Sequence, residues 1–240
     1  MPTDSAVVIF AKAPTPGLVK TRLCPPLAPD EAATLHGSFV LDTLERAKAA
    51  ATTLTPSFDR YLACAPSSTL TFFKIMEERQ GVRLLAQDGD DLGARMSHAA
   101  NSLFARGYAR VVVVGTDTPT LPIERYRQAF AVLDQHDVVL GPSVDGGYYL
   151  IGLRRPAPAL FTEIPWSTER VLALTREKAD TLGLTQALLE PWRDVDTIDD
   201  LRALIDDYIA DAKRPKSGRA FSQRTAGVLQ LLAKRLQSRA

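Results

Sequence analysis

Four consecutive valines, Val111 to Val114, open the stretch RVVVVGTDTPTL between Arg110 and Leu121, and they restrict what the surrounding chain can become. β-Branched side chains are stiff at χ1 and disfavour a helix, and the run is far shorter than the roughly 20 apolar residues a membrane helix needs. With no polar residue alternating among them, the valines read as a strand buried on both faces, as in the middle of a parallel α/β sheet. Gly115 then lets the chain turn, and Asp117 arrives at the carboxyl end of the strand, the edge where open α/β sheets bind ligands. The strand alone leaves a second use open for Asp117, as the cap of a helix beginning near Pro122.

The flanking sequence repeats a strand–loop–helix rhythm. Ala6–Ala11 predicts a first buried strand, followed by the loop KAPTPGLVKTRLCPPLAP and an amphipathic helix from about Asp30 to Ala50. Four prolines before Ala28 stiffen that loop, Gly17 lies inside it, and Lys12, Lys20 and Arg22 make it positive. A rigid cationic loop between a first strand and a first helix suits a phosphate group, because donors already ordered bind charge without a further entropic cost. Its glycine spacing is neither that of a Walker loop nor that of a dinucleotide-binding turn. A solvated loop with scattered charges is the plainer alternative.

Arg60–Ala65 and Val82–Ala86 predict two more strands around a helix from Thr69 to Arg79. QDGDDLGARM then opens a helix reaching about Arg106, with Asp90 or Asp91 as N-cap. This segment shares the sheet edge with Asp117, so Asp91 and Arg95 join Lys12, Gly17, Lys20 and Arg22 as phosphate- or nucleotide-binding candidates. After a helix from Pro122 to about Gln135, DVVLGPSVDGGYYLIGL places two apolar strands around a turn at Asp145, Gly146 and Gly147. Glycines serve a hairpin by geometry alone. Asp145 beside Tyr148 and Tyr149 exceeds that need, which makes Gly146, Gly147 and Tyr148 acceptor-binding candidates and Asp145 a catalytic one. Trp166, in IPWST before a helix capped by Ser167 or Thr168, is either core or an apolar wall for a sugar or base.

WRDVDTIDDL sets Asp194, Asp196, Asp199 and Asp200 around the start of a late helix. Asp199 and Asp200 complement the helix dipole. Asp196 precedes the helix in a strand-like run and points back to the sheet edge, where it and Asp117 together could hold a hard divalent ion against phosphates.

Composition bounds the rest. The 240 residues are 45% apolar and 24% charged, which suits one large soluble domain. No apolar run reaches spanning length and no basic-then-apolar leader opens the chain, so a cytoplasmic protein is expected. Cys24 and Cys64 lack ligand or redox spacing and are expected to be free; His36, His98 and His136 are expected on helix surfaces. The net charge of +1 hides an asymmetry: all eight charged residues after Ala212 are basic, which leaves 21 basic against 28 acidic residues before them. Residues 1–212 are therefore expected to form the domain and residues 213–240 a basic tail. Val228, Leu229, Leu232 and Leu236 recur there at helical spacing, as in a helix docked on the body or on a second copy of the chain. With Phe221 its single aromatic and no recognised motif, the tail gives little sign of binding nucleic acid.

Taken in order, FAKAPTPGLVKTRL, DLGARM, VVVVGTDTPTLP, VVLGPSVDGGYYLIGL, IPWST and DVDTIDDL resemble the nucleotide-diphospho-sugar transferase (GT-A) superfamily across nearly the whole body. The chain is most similar to bacterial glycosyltransferase-like proteins associated with radical-SAM/selenodomain or arsenosugar genes. KTRL and DVDT also resemble 2-phospho-lactate guanylyltransferases. The resemblance implies a three-layer α/β fold of GT-A type, with a Rossmann-like, mostly parallel central sheet and helices on both faces. It places Asp117 and Asp196 where a diphosphate donor lies, with Mg²⁺ or Mn²⁺ between them, and makes Asp117 and Asp145 catalytic. The glycine-rich N-terminal loop of the broader nucleotidyltransferases is replaced here by a proline-rich one. The leading expectation is a glycosyltransferase moving a sugar from a nucleoside diphosphate to a small acceptor, Asp145 orienting the acceptor or acting as base. The others are a nucleotidyltransferase releasing pyrophosphate and a nucleotide-sugar-binding protein without turnover.

Overall fold

The computed structural model describes residues 3–53, 57–215 and 220–237. In chain order they form β1 (Ser5–Lys12), α1 (Pro29–Thr53), β2 (Asp59–Ala65), α2 (Thr71–Gln80), β3 (Arg83–Ala86), α3 (Leu92–Phe104), β4 (Arg110–Val114), α4 (Glu124–Leu133), β5 (Val138–Pro142), β6 (Tyr148–Leu153), α5 (Val171–Thr181), β7 (Gln186–Leu188), α6 (Ile198–Ala212) and α7 (Gln223–Gln237). The sheet order is β3-β2-β1-β4-β6-β5-β7, which puts the four valines in the middle strand. β6 runs antiparallel to both β4 and β5, and the other pairings are parallel. The mostly parallel α/β sheet expected from the motifs is the one found.

Both faces of that sheet are covered. Val112 and Val114 of β4, with Val7 and Ile9 of β1, pack under α1, α2 and α4 through Val40, Leu44, Phe73, Met76, Phe130 and Leu133. Val111, Val113, Ala6 and Val8 face the other way, toward Met96, Ala99 and Leu103 of α3 and Ala179 of α5. Successive strand residues thus serve opposite layers, which is why the run is apolar without alternation. Full burial of a valine contributes about 1.5–3 kcal/mol, so a polar residue anywhere in β4 would be costly. The chain leaves β1 toward β2 but leaves β4 toward β5, and the loops after these two neighbouring strands diverge at the carboxyl edge.

A third core lies outside α1. Leu23 and Leu27 of the proline-rich loop, Leu35 and Phe39 of α1, Leu201, Leu204 and Ile205 of α6, and Leu229 and Leu232 of α7 pack together, with Val228 and Leu236 at its margin. The stripe on α7 therefore faces the body. Thr225 donates to the buried Asp42 carboxylate at 2.6 Å, and Arg224 pairs with Asp42 and Glu45. Leu231, on the outer face, remains 71% exposed.

Several local expectations change. β7 is a three-residue strand too short to show periodicity. Helix α5 starts at Val171 with Arg170 as N-cap, so neither Ser167 nor Thr168 caps it. Asp117 is not a cap either: α4 begins after Ile123 without a side-chain cap. Asp91 is the N-cap of α3, accepting from Ala94 N at 2.7 Å. His36 is buried beneath β1 instead of lying on the helix surface. Cys24 and Cys64 are free, as expected, and among the described residues no helix is long and apolar enough to cross a membrane.

Candidate active-site cleft at the carboxyl edge

The loop after β1 is fixed by its own backbone and by three apolar anchors. Ala13 N donates to Ala65 O at 2.8 Å and Leu27 N to Leu23 O at 3.0 Å, while Val19, Leu23 and Leu27 are buried. Gly17 takes a positive φ of 77°, a turn that favours glycine, and faces open space away from the cleft. It is not among the residues that line the cleft. The turn delivers Lys20, Thr21 and Arg22 to a cleft of about 530 Å³.

Lys20 points inward. Its ammonium donates to Val195 O at 2.7 Å and to Asp196 Oδ1 at 2.8 Å, and it is ion-paired with Asp117 Oδ1. Its side chain is 4% exposed. Burial opposes its charge, but Asp117 and Asp196 outweigh that and hold its pKa above the usual value. Asp117 shows the converse: burial favours its protonated form, and Lys20 reverses this and holds it ionised. Asp117 Oδ1 is buried against Lys20 while the side chain is 43% exposed, so the part of the carboxylate open to the cleft is Oδ2. The carboxylates of Asp117 and Asp196, expected to share a divalent ion, are bridged by a lysine.

The segment before α6 reaches this edge through backbone bonds. Trp192 N donates to Pro142 O at 2.9 Å and Val195 N to Asp117 O at 3.0 Å. Val195 is buried, and Asp194 and Asp196 on either side of it face the turn after β5. Asp145, Asp194 and Asp196 each bring a carboxylate oxygen within 4.8 Å of the others. Asp145 is positioned by its own turn, its Oδ1 accepting from Gly147 N at 2.9 Å. Burial, together with Asp145, Asp196 and Asp117, pushes the Asp194 carboxyl up to about 7. A divalent cation suits such a donor set, since hard oxygens are what Mg²⁺ and Mn²⁺ take and added positive charge would relieve the repulsion. Sequence reasoning passed over Asp194; the D-x-D spacing in an extended run, with an apolar residue between, was the signal for it.

Lys12, Arg22 and Arg95 line the same cleft. Among the described residues none of the three has an ion-pair partner; Arg95 is steadied by its Nε donating to Gly89 O at 2.9 Å. Gln87, also unforeseen, is anchored by its amide to Ala63 O at 2.9 Å and Ala11 O at 3.3 Å and lines the same wall. His36 lies at the floor with Nε2 3.0 Å from Lys12 O, and burial lowers its pKa against the pull of Asp117.

Tyr148 and Trp166 form the third wall, meeting edge to face with ring centroids 6.4 Å apart. The indole lies on Gly93, where a Cβ would come within 2.4 Å of it. Gly147 lines the cleft, whereas Gly146 does not: its φ is 90° and a Cβ there would lie 2.1 Å from Glu169 O, so it allows the turn to pack on the chain before α5. Asp91, spent on capping α3, is also off the cleft.

Comparison with known proteins follows this geometry. A family model described as an uncharacterised protein conserved in bacteria, DUF2064, matches residues 47–168. A solved structure from Desulfovibrio desulfuricans G20, provisionally named a nucleotide-diphospho-sugar transferase, is 33% identical, covers 98% of each chain and superposes with a TM-score of 0.83. A cytidylyltransferase from Leptospira borgpetersenii is 14% identical over 98% of this chain and 96% of its own, with a TM-score of 0.55. A CMP:2-keto-3-deoxy-manno-octonic acid synthetase complexed with CTP is 12% identical over 84% of this chain and 98% of its own, with a TM-score of 0.52. The last two share the fold. A search of curated protein sequences gave no match.

Proposed function

This chain belongs to DUF2064, a family of uncharacterised proteins conserved in bacteria, and from that premise we propose that it is a metal-assisted transferase moving a sugar from a nucleoside-diphosphate donor to a small acceptor. The observation that carries the proposal is the cleft itself, whose lining combines three converging carboxylates with cations that have no ion-pair partner among the described residues. Lys12 and Arg22 hold the diphosphate, and Arg95 and Gln87 contact the nucleoside side. Asp145, Asp194 and Asp196 would hold a Mg²⁺ or Mn²⁺ ion. Bound there, the ion supplies a charge that stabilises the departing diphosphate. Asp145, next to Gly147 and Tyr148 in the turn, also orients the acceptor, for which Tyr148 and Trp166 form an apolar wall. The name carried by the Desulfovibrio protein supports the same donor class.

The fate of Lys20 bears on the choice of donor. With its ammonium committed to Asp117, Asp196 and Val195, the loop offers two free cations, Lys12 and Arg22, instead of three. That supports a diphosphate over a triphosphate.

The test is a thermal-shift panel of nucleoside triphosphates and nucleoside-diphosphate sugars, with and without Mn²⁺, followed by product analysis of the hits. A nucleoside diphosphate released only from sugar donors is the expected product. Pyrophosphate release would replace this proposal with nucleotidyl transfer, and binding without turnover would leave a nucleotide-sugar-binding protein. Lys12→Ala and Arg22→Ala should each weaken donor binding by roughly 1.5–3 kcal/mol, as for a lost charged hydrogen bond.

A further inference from the structure

We propose that the Lys20 ammonium is a resident cation of this centre, holding the place between Asp117 and Asp196 that a second divalent ion would otherwise take, so that each chain binds one divalent ion and not two. The inference rests on the assignment of an ion to Asp145, Asp194 and Asp196, and concerns what balances the remaining carboxylate.

Four carboxylates line one end of the cleft: Asp117, Asp145, Asp194 and Asp196. Three of them converge, and Asp117 is not among the three. Asp117 and Asp196 instead share Lys20, whose ammonium donates to Asp196 Oδ1 and Val195 O and is ion-paired with Asp117 Oδ1. An ammonium with two hydrogen bonds, an ion pair and almost no exposure has the surroundings of a fixed charge, not those of a mobile surface lysine. Val19 and Leu23, before and after Lys20 in the loop, are buried, and the nitrogen lies 5.9 Å from the centroid of the Phe39 ring.

Asp196 belongs to both groups, giving Oδ1 to Lys20 and a carboxylate oxygen to the three-acid cluster. Lys20 offsets one of the four negative charges and a single divalent ion offsets two more. Lys12, Arg22 and Arg95, which line the same cleft, can offset the negative charge that remains without another metal. A second ion at Asp117 would have to expel a buried ammonium from three acceptors. Breaking a buried pair by removing one partner is strongly unfavourable, and nothing in the cleft offers the displaced ammonium an equal set.

The experiment is a Mn²⁺ titration of the metal-free, full-length protein without nucleotide, counting bound ions per chain by electron paramagnetic resonance and following melting in parallel. The wild type should bind one ion. Lys20→Ala, which vacates the space, should bind two, with melting lowered in chelator and restored by saturating Mn²⁺. Lys20→Met fills the same space with an uncharged stem and should bind one, its lowered melting not restored. Two ions in the wild type would overturn the inference while leaving the metal assignment intact. A single, tighter site in Lys20→Ala would also overturn it, since lysine and metal would then compete for one position. No ion in the wild type would overturn the inference together with the metal assignment on which it rests, whether or not Lys20→Ala then takes one up. Should Lys20→Ala fail to fold without metal, folding it in Mn²⁺ before counting decides between the same outcomes.

Discussion

Val195 donates its backbone N–H to the carbonyl oxygen of Asp117 at 3.0 Å, tying the segment before α6 to the loop after β4. Lys20 closes the same knot from a third direction by taking Val195 O at 2.7 Å together with the two carboxylates. Loops after β1 and β4 and the lead into α6 are thereby fixed to one another at the mouth of the cleft, before any ligand arrives.

One consequence reverses what two bare carboxylates would predict. If Asp117 and Asp196 simply repelled, Asp117→Asn would stabilise the metal-free protein. With Lys20 between them, the substitution strips a buried ammonium of a charged partner and should cost about 1–3 kcal/mol. Urea unfolding in chelator measures this, and a midpoint equal to or above the wild type would show that the ion pair adds nothing.

A second consequence is pH dependence far from the cleft. Asp137, buried at the start of β5, accepts from Arg154 and Arg155 through Oδ1 and from the amide and hydroxyl of Thr185 through Oδ2, each at 3.0 Å. Burial alone would raise its pKa, but the Thr185 amide and the two arginines hold it well below the usual carboxylate range. For a carboxyl with a depressed folded pKa, the stabilisation is fully present above its unfolded value near 3.9 and is lost as pH falls through the lower folded value. Asp137→Asn should therefore destabilise by about 2–4 kcal/mol at neutral pH. The difference from wild type should shrink only in strong acid, and a gap in unfolding midpoint that stays constant from pH 7 to pH 2 would contradict this account.

What the sequence made legible, and what it hid, follows from the range of the forces involved. The four valines revealed the middle strand because burial on both faces is written into consecutive residues. Asp91 was readable as a cap because capping acts over three residues. The turn at Asp145 was readable because glycines mark it. The partnership of Lys20 with Asp117 and Asp196 was not, since it joins groups far apart in the chain and depends on how three loops meet. For the same reason His36, with no ligand spacing around it, looked like a surface residue; only the packing of α1 on β1 buries it. β7 escaped because three residues carry no period, its place being set by pairing with β5.

The basic tail yields a third prediction. Removing everything after Ala212 uncovers Leu35, Phe39, Leu204 and Ile205, which now pack against Leu229 and Leu232, and it leaves Asp42 buried without Thr225 or Arg224. The truncated chain should melt lower and associate in solution. Thr225→Val isolates the polar part and should cost about 1–3 kcal/mol, the penalty for a buried acceptor left unpaired. Unchanged melting and unchanged mass for the truncated chain would show that α7 only decorates the body.

The last prediction separates the wall of the cleft from its scaffold by adding one methyl group at either of two glycines. At Gly146 the new Cβ would meet Glu169 O at 2.1 Å with φ at 90°, so backbone strain and a clash with fixed backbone coincide, and Gly146→Ala should lose stability outright. At Gly93 the obstacle is the edge of Trp166, 2.4–2.5 Å from the new Cβ. The indole is half-buried and borders open cleft, so it can yield by rotating into the space proposed for the acceptor. Gly93→Ala should accordingly cost about 1–3 kcal/mol at most, in line with overpacking, while raising the KM for acceptor more than it lowers kcat. Trp166→Leu removes the clashing ring, and in a double-mutant cycle it should cancel most of the stability cost of Gly93→Ala. Additive losses in that cycle, or an acceptor KM untouched by Gly93→Ala, would place Trp166 outside the substrate wall.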